Sequence, residues 1–559
     1  MTTARRRRQL LALPLAAVLL LAGCGGGKAD RTSGPGEGDD PGDPVWGGSV
    51  TYGLEAETGA GWCLPEAQLA ISGIMVARAI YDPLLAPTAD GEYVPYLAEA
   101  VEHDDDHMVW TITVRDGITF HDGSPLTAEV VKNNLDANRG APGDHARSPL
   151  LGLFIYEAIE SVEVSGERDV VVTMKEPWVG FDAVLAGGGR NGILAQAQLD
   201  DPDSCSTDLI GTGPFMLEDP SDWVEGRSFR AVRNPDYWQD APDGKPYPYL
   251  DEIIFEPIVE PEQRVNALLS DDIQIGHFGT PADLIELRGE TEAGELASIE
   301  SNANGEVGFW QLNSAAPPLD DVRIRRAMAL AIDRDAYADT VNQGEFQMAT
   351  GPFAPGSPAH LEDTGYPVEQ DLDEARRLVA EHVAERGPIR TLTYQNTPSA
   401  ASQELSVFFQ QSMAEIGIDV ALETVQQDTL IDNAIAGDFD LMAFRNYASI
   451  DPGELYSWFR GQSPVNFGRF DDAEINRLLD AGRIESDPEA RAEIYRDLNR
   501  RMGEQAYSLW TNYATWMVAS SPAVHGYDAE TAPDLPGGHR PSEGLASGHV
   551  THGLWRTDG

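Results

Sequence analysis

Residues 48–54, Gly-Ser-Val-Thr-Tyr-Gly-Leu, alternate in the manner of a half-buried strand. Residues 67–81 then place Leu69, Ile71, Ile74, Met75 and Ile80 in a pattern that predicts a buried helix. Alternation returns at 109–114, and Arg115-Asp116-Gly117 marks a turn behind it. Thr127 predicts the N-cap of a helix running through Asn138. Strands are predicted again at 169–174, 229–233 and 253–258, and a helix over 262–269. The first half of the chain therefore mixes sheet and helix.

A second block begins near Val307. Ile324, Ala327, Met328, Ala331 and Ile332 share one face of a long helix predicted over 322–341, capped by Asp320 or Asp321. Short strands at 392–394, 419–423 and 441–444 alternate with helices at 402–416 and 429–435, which reads as an α/β lobe. Residues 473–506 read as mostly helical, and the Gly- and Pro-rich stretch 530–559 as an irregular close.

The N-terminus follows another rule. Arg5 to Arg8 precede an uncharged run from Leu10 to Ala22, and Leu21-Ala22-Gly23-Cys24 ends it. A basic segment, an apolar segment and a small-residue cleavage site are the layout of a secretory signal over residues 1–23. The apolar run would rise roughly 20 Å as a helix, too short for a hydrocarbon core of about 30 Å. Cys24 after Leu-Ala-Gly resembles a lipobox, in which the thiol is acylated; an ordinary secretion signal is the alternative. Residues 24–45 have the Gly, Asp and Pro content of a flexible tether.

About 510 residues follow, enough for two or three cores. The full chain carries 39 basic against 92 acidic residues; without residues 1–23 the balance is 35 against 92, or −57. That excludes nucleic acid and anionic lipid as partners held by charge. The acidity suits either cationic ligands or a heavily solvated surface. With Cys24 set aside, Cys63 and Cys205 form an even pair in an oxidising compartment and are expected to bond; two separate buried thiols are the alternative. The bond would close a loop of about 140 residues, worth up to about 5 kcal/mol in the chain-entropy model. No CxxC pair or Cys/His cluster suggests zinc, and the 11 histidines are scattered, so no metal site or cofactor is expected. GxSxG, HExxH and Walker A are missing, which argues against an enzyme. Gly187 to Gly192 matches GxGxxG without the strand and acidic partner that a dinucleotide site requires.

Tyr81-Asp82-Pro83-Leu84, Leu97-Ala98-Glu99 and the run Val114 to Glu129, with its Arg115-Asp116-Gly117 and His121-Asp122-Gly123, resemble the consensus of family 5 extracytoplasmic solute-binding proteins. These are the peptide and nickel receptors of ABC importers. Gly211 to Phe215, Arg233 to Trp238, Asp321 to Ala327 and Ala331 to Arg334 follow in the family's order, so the resemblance runs from about residue 48 to about 525. It implies an α/β, bilobed, periplasmic-binding-protein-like clam-shell with mixed sheets in two lobes and a two-segment hinge. Lobe I would be 46–305 and lobe II 306–519, with 520–559 returning to lobe I. A ligand trapped between the lobes would shift the population toward a closed form that docks on a permease. The consensus blocks themselves supply turns and packing, and His121 is expected to be structural.

Four stretches offer aromatic walls and polar groups for such a ligand. They are Glu55 with Trp62, Arg190 with Asn191, Tyr394 with Asn396, and the strand end Arg445-Asn446-Tyr447 leading to Asp451. Arg445 could grip a carboxylate with two prongs. Peptide receptors of this family commonly hold the peptide ammonium with an aspartate three residues before the acidic residue of an Asp-Pro pair; that position is Ala448 here. The acceptor has then moved to Glu55 or Asp451, or the ligand is not a peptide. The expected protein is a monomeric receptor, tied by lipid at Cys24 to the outer face of the membrane and delivering a peptide or similar solute to an ABC permease. A solute sensor of the same fold, or a receptor for a chelated metal or a sugar, stands as the alternative.

Overall fold

A computed structural model describes residues 42–56, 61–67, 69–149, 152–187, 190–201, 203–204, 207–301, 306–447, 451–528, 531–542, 544–545 and 551–557. The lipobox cysteine Cys24, the second disulfide candidate Cys205 and Ala448 lie outside the described residues. Pro44 to Gly559 belong to one compact unit.

The alternating strand Ser49–Leu54 runs at the centre of an eight-stranded mixed sheet. It pairs in parallel with Glu252–Pro257 on one side, Ser49 opposite Glu252, and with Ile275–Phe278 on the other. The second sheet has five strands, ordered Val420–Thr424, Leu392–Asn396, Leu441–Tyr447, Glu306–Leu312, Ser508–Tyr513. Glu306–Leu312 lies antiparallel to both its neighbours, with Gly308 opposite Arg445. A third, antiparallel sheet of four strands, from Ala98 to Met174, builds its own core around Trp110, Ile112, Val170 and Val172. Its middle strand Val109–Val114 buries every second residue, so one face packs and the other meets water.

The protein is thus a two-lobed α/β clam-shell with mixed sheets. The chain crosses from the eight-stranded to the five-stranded sheet between Ser301 and Glu306, and returns between Tyr513 and Trp516. The strand Trp516–Ser520 pairs with Ile275–Phe278, so the return precedes the expected residue 520 by a whole strand. The two crossings are tied together where the Ala514 N–H donates to the Glu306 carbonyl at 2.8 Å.

Several helices stop earlier than the apolar pattern predicts. The expected helix over 322–341 is two, Val322–Ala331 and Arg334–Thr340, because the Asp333 carboxylate caps the second one at Ala336 N. Residues 473–506 divide in the same way at Asp487-Pro488, with Asp487 as cap and Pro488 as first helical residue. The helix expected at 402–416 spans Ala400–Ala414, capped by Ser399.

The blocks that carried the family resemblance meet in one hydrogen-bonded knot. Asp82 Oδ2 accepts from Thr212 Oγ1 at 3.0 Å and from Trp238 Nε1 at 2.9 Å. Burial pushes the Asp82 carboxyl up to about 6. Asn234 Nδ2 donates to the Gly213 carbonyl at 3.0 Å, and His121 Nε2 lies 3.0 Å from the same oxygen. A Cβ on Gly211 would sit 2.0 Å from the Ile80 carbonyl oxygen, so only glycine fits against that helix end. His121 is therefore structural, as expected.

Candidate functional site

Glu55 follows the last residue of the central strand Ser49–Leu54. Its N–H donates to Nε2 of the buried His277 at 3.1 Å, which fixes the backbone there. Its Oε1 accepts from Arg445 Nη2 at 2.7 Å. Arg445 comes from the strand Leu441–Tyr447 of the other lobe, so this ion pair spans the clam-shell. Arg445 Nε stands 3.6 Å from Glu306 Oε2, and the guanidinium lies 5.2 Å from the centre of the Trp516 ring. Glu306 begins the first strand after one crossing and Trp516 begins the strand after the other. Two carboxylates, a guanidinium and an indole therefore converge where the lobes are joined.

The electrostatics follow from that packing. Burial works against the charge on Glu55, but Arg445, His277 and Arg264 outweigh it and hold the carboxyl below its ordinary value. Glu306 is pushed above its ordinary value by burial, with the Glu55 charge adding to the effect against Arg445. The Arg445 side chain is 48% exposed, so the cluster opens to water on one side.

A second contact closes the lobes elsewhere. Arg483, in the last turn of the helix Ala473–Ile484, is buried between the rings of Tyr456 and Trp178, 3.7 and 4.8 Å from their centres. Its Nη1 reaches Glu176 Oε1 at 3.0 Å, and its carbonyl accepts from Val179 N–H at 2.9 Å. Beside it, Asp451 takes Arg491 Nη1 and Nη2 at 2.6 and 2.8 Å. A Cβ on Gly180 would come within 2.9 Å of Asp451 Oδ1. Trp178 and Phe181 pack in the core of the four-stranded sheet, whereas Tyr456 and Tyr495 pack in that of the five-stranded one. Arg483→Ala should therefore weaken the closed form by about 1–3 kcal/mol and raise the radius of gyration measured by X-ray scattering. An unchanged radius would mean that other contacts carry closure.

Asp182 lies at this contact, and burial and the Asp451 charge push its carboxyl up to about 6. The folded state binds this proton more tightly than the unfolded one, so its contribution is present in acid and lost as pH rises through about 6. Asp182→Asn should therefore exceed wild type in stability by about 1–2 kcal/mol at pH 8, with the gain shrinking toward pH 4. Urea unfolding at the two pH values reads this directly.

Most of the other expected site residues make contacts within the fold. Trp62 is buried in the core, edge-on to Trp223 and Phe229. Tyr394 is wholly buried, and its hydroxyl accepts from Trp310 Nε1 at 3.1 Å. Asn396 donates to Ser406 Oγ at 2.8 Å and accepts from Thr424 Oγ1 at 2.7 Å, joining strand to helix and strand to strand. Asn191 Nδ2 closes the helix Phe181–Ala186 through the Val184 carbonyl at 2.6 Å. Arg190 gives Nε and Nη2 to the Leu69 carbonyl, while its charge still reaches Glu306. Asn446 is buried. Tyr447 continues the strand, its side chain outside the described residues. Of the ten expected residues, Glu55, Arg445 and in part Arg190 meet at the junction. Glu306, Trp516 and His277 were missed; the expected lobe boundary at 306 was the signal that could have pointed to Glu306. Cys63 is buried and receives Arg147 Nη1 at 2.6 Å.

Among the described residues no group of three or more His, Cys, Asp or Glu could hold a metal, and no helix is long and apolar enough to cross a membrane. Residues 92–467 match the bacterial extracellular solute-binding proteins, family 5 Middle. The "Probable di/tripeptide-binding protein 5" of Pseudomonas aeruginosa (strain UCBPP-PA14) is 28% identical over 472 residues, 78% of this chain and 85% of that protein. The nickel-binding periplasmic protein of Escherichia coli (strain K12) is 27% identical over 468 residues, 80% and 86% of the two chains. Among solved structures, the oligopeptide-binding protein AppA of Bacillus subtilis, in complex with a nonapeptide, superposes with a TM-score of 0.76 at 20% identity, covering 92% of this chain and all of its own. These relatives are binding proteins, not enzymes, and this chain belongs with them to the family 5 bacterial extracellular solute-binding proteins of ABC importers.

Proposed function

We propose that this chain captures a peptide or similar medium-sized solute between its lobes and delivers it to an ABC permease. The observation that carries the reading is the Arg445–Glu55 ion pair, which joins the two lobes at 2.7 Å beside both chain crossings. A group that bridges the lobes in this way can exchange its protein partner for a solute and so couple binding to closure. Arg445 is the clamp for an anionic group of the solute. Relatives named for di/tripeptide, nickel and glutathione binding support a small polar cargo. Lobe I takes 46–305 and the chain from Trp516, and lobe II the residues between.

The N-terminal sequence adds an address: Cys24 carries lipid and residues 24–45 tether the receptor beside its permease, raising its effective concentration there. Cys63 and Cys205 form a disulfide. Ala448, where peptide receptors of this family commonly place an aspartate, favours a second reading, a non-peptide acid or a chelated metal.

Native mass spectrometry of the gently purified protein identifies the solute. A peptide ladder supports the first reading, and an organic acid or metal chelate the second. Arg445→Ala is then expected to lower affinity for that solute by about 1.5–3 kcal/mol, roughly ten- to a hundredfold, in calorimetric titration. Unchanged affinity would remove Arg445 from the site.

A further inference from the structure

Arg445 sits in a place shaped for a guanidinium. Glu55 receives Nη2 at 2.7 Å, Glu306 Oε2 faces Nε at 3.6 Å, and the Trp516 ring lies 5.2 Å beneath. Glu55 and Trp516 stand on the eight-stranded sheet's side. Glu306 opens a strand of the five-stranded sheet, paired with the strand Leu441–Tyr447 that brings the occupant Arg445.

Two of the walls are held by His277. His277 accepts the Glu55 N–H, and the Trp516 ring packs edge-on against His277 with centres 5.6 Å apart. Trp516 is 5% exposed and Glu306 9%. Buried Glu306 Oε2 receives no well-formed hydrogen bond: the Trp516 indole lies beside the carboxyl, and Arg445 Nε stands 3.6 Å away, too far to be one. A buried carboxylate oxygen left short of donors is costly, and the Arg445 guanidinium is the charge that faces it. The neighbouring cations Arg264 and Arg190 act on the two carboxyls through their charge. Arg264 gives Nε and Nη1 to the carbonyls of His277 and Ile258, and Arg190 gives Nε and Nη2 to the Leu69 carbonyl. Carboxylates beside an aromatic face are the set that holds an organic cation.

We propose that Glu55, Glu306 and Trp516 form a subsite for a guanidinium or ammonium group of the solute, and that Arg445 is its internal placeholder. The inference rests on the cleft being the solute site. An entering cation takes the place of the Arg445 guanidinium, which is then released toward an anionic group on the same molecule. The exchange leaves the charge of the junction unchanged, so the solute that fits is amphoteric.

The test uses the full chain and needs no knowledge of the natural solute. Arg445→Ala empties the cage, and calorimetric titration with ethylguanidinium chloride, ethylammonium chloride and neutral ethylurea reads its occupancy. Ethylguanidinium or ethylammonium should bind the variant about tenfold more tightly than wild type, and ethylurea neither. Adding Glu55→Gln should abolish the gain. Equal binding to variant and wild type, or a gain that survives Glu55→Gln, overturns the proposal. Circular dichroism checks that the variant is folded, and Arg445→Gln replaces it if it is not. A protein that co-purifies with a solute yet fails this test loses the cage alone. One that passes yet captures no solute keeps the cage and loses the receptor reading.

Discussion

Asp451→Ala is expected to lower the unfolding free energy by about 3–5 kcal/mol, measured by urea denaturation. Asp451 and Arg491 are both mostly buried and meet through two short bonds of 2.6 and 2.8 Å. Removing the carboxylate leaves the guanidinium in a dry site without its partner. It also removes the cap on the short helix Pro452–Leu455, where Asp451 Oδ1 accepts the Gly453 N–H. Arg491→Ala should cost a comparable amount, and the double variant less than the sum, because the two residues act as one pair. The sequence placed Asp451 among the ligand contacts. If it had that role, its loss would lower solute affinity and spare stability, the opposite of the result expected here.

The second large effect belongs to Trp310. Trp310→Ala should destabilise the five-stranded lobe by about 3–5 kcal/mol, read as a lowered unfolding midpoint. The indole is 1% exposed and packs against Tyr337 and Phe409 with ring centres 5.7 and 5.0 Å away. Its loss leaves a cavity and takes the donor from the buried Tyr394 hydroxyl. Trp310→Phe should recover most of the packing and retain only the cost of the lost hydrogen bond, about 1–3 kcal/mol.

These two residues also show what a sequence can and cannot disclose. Alternation placed the strands Ser49–Leu54 and Val109–Val114, because a strand with one packed face repeats every second residue; the wholly buried Ile275–Phe278 beside the first carries no such signal. Order along the chain placed the family, because Asp82, Thr212, Gly213, Asn234 and Trp238 each complete another's bonds and so recur as a set. The site was harder. Tyr394, Asn396 and Asp451 have the side chains that ligands use, but buried polar groups within a fold have the same need for partners. Whether an Asn faces a cleft or a helix depends on contacts far along the chain, such as Asn396 with Thr424. Arg445 stood out as a candidate because a charged residue near the end of an otherwise apolar strand has few structural duties. Glu306 and Trp516 were not, since their meaning comes from the two points where the chain changes lobes.

Those two points also set the mechanics of opening. Glu306, where the chain enters the five-stranded sheet, and Ala514, just after it leaves, are joined by a bond of 2.8 Å. Two straps stitched together resist sliding and twisting while still folding along their common line. Paired pins of this kind favour a swing of the lobes over a slide. Arg445 and Glu55 stand beside the pins, and Arg483 and Trp178 form a separate contact between the lobes. A contact between the lobes counts for more the farther it stands from the pins.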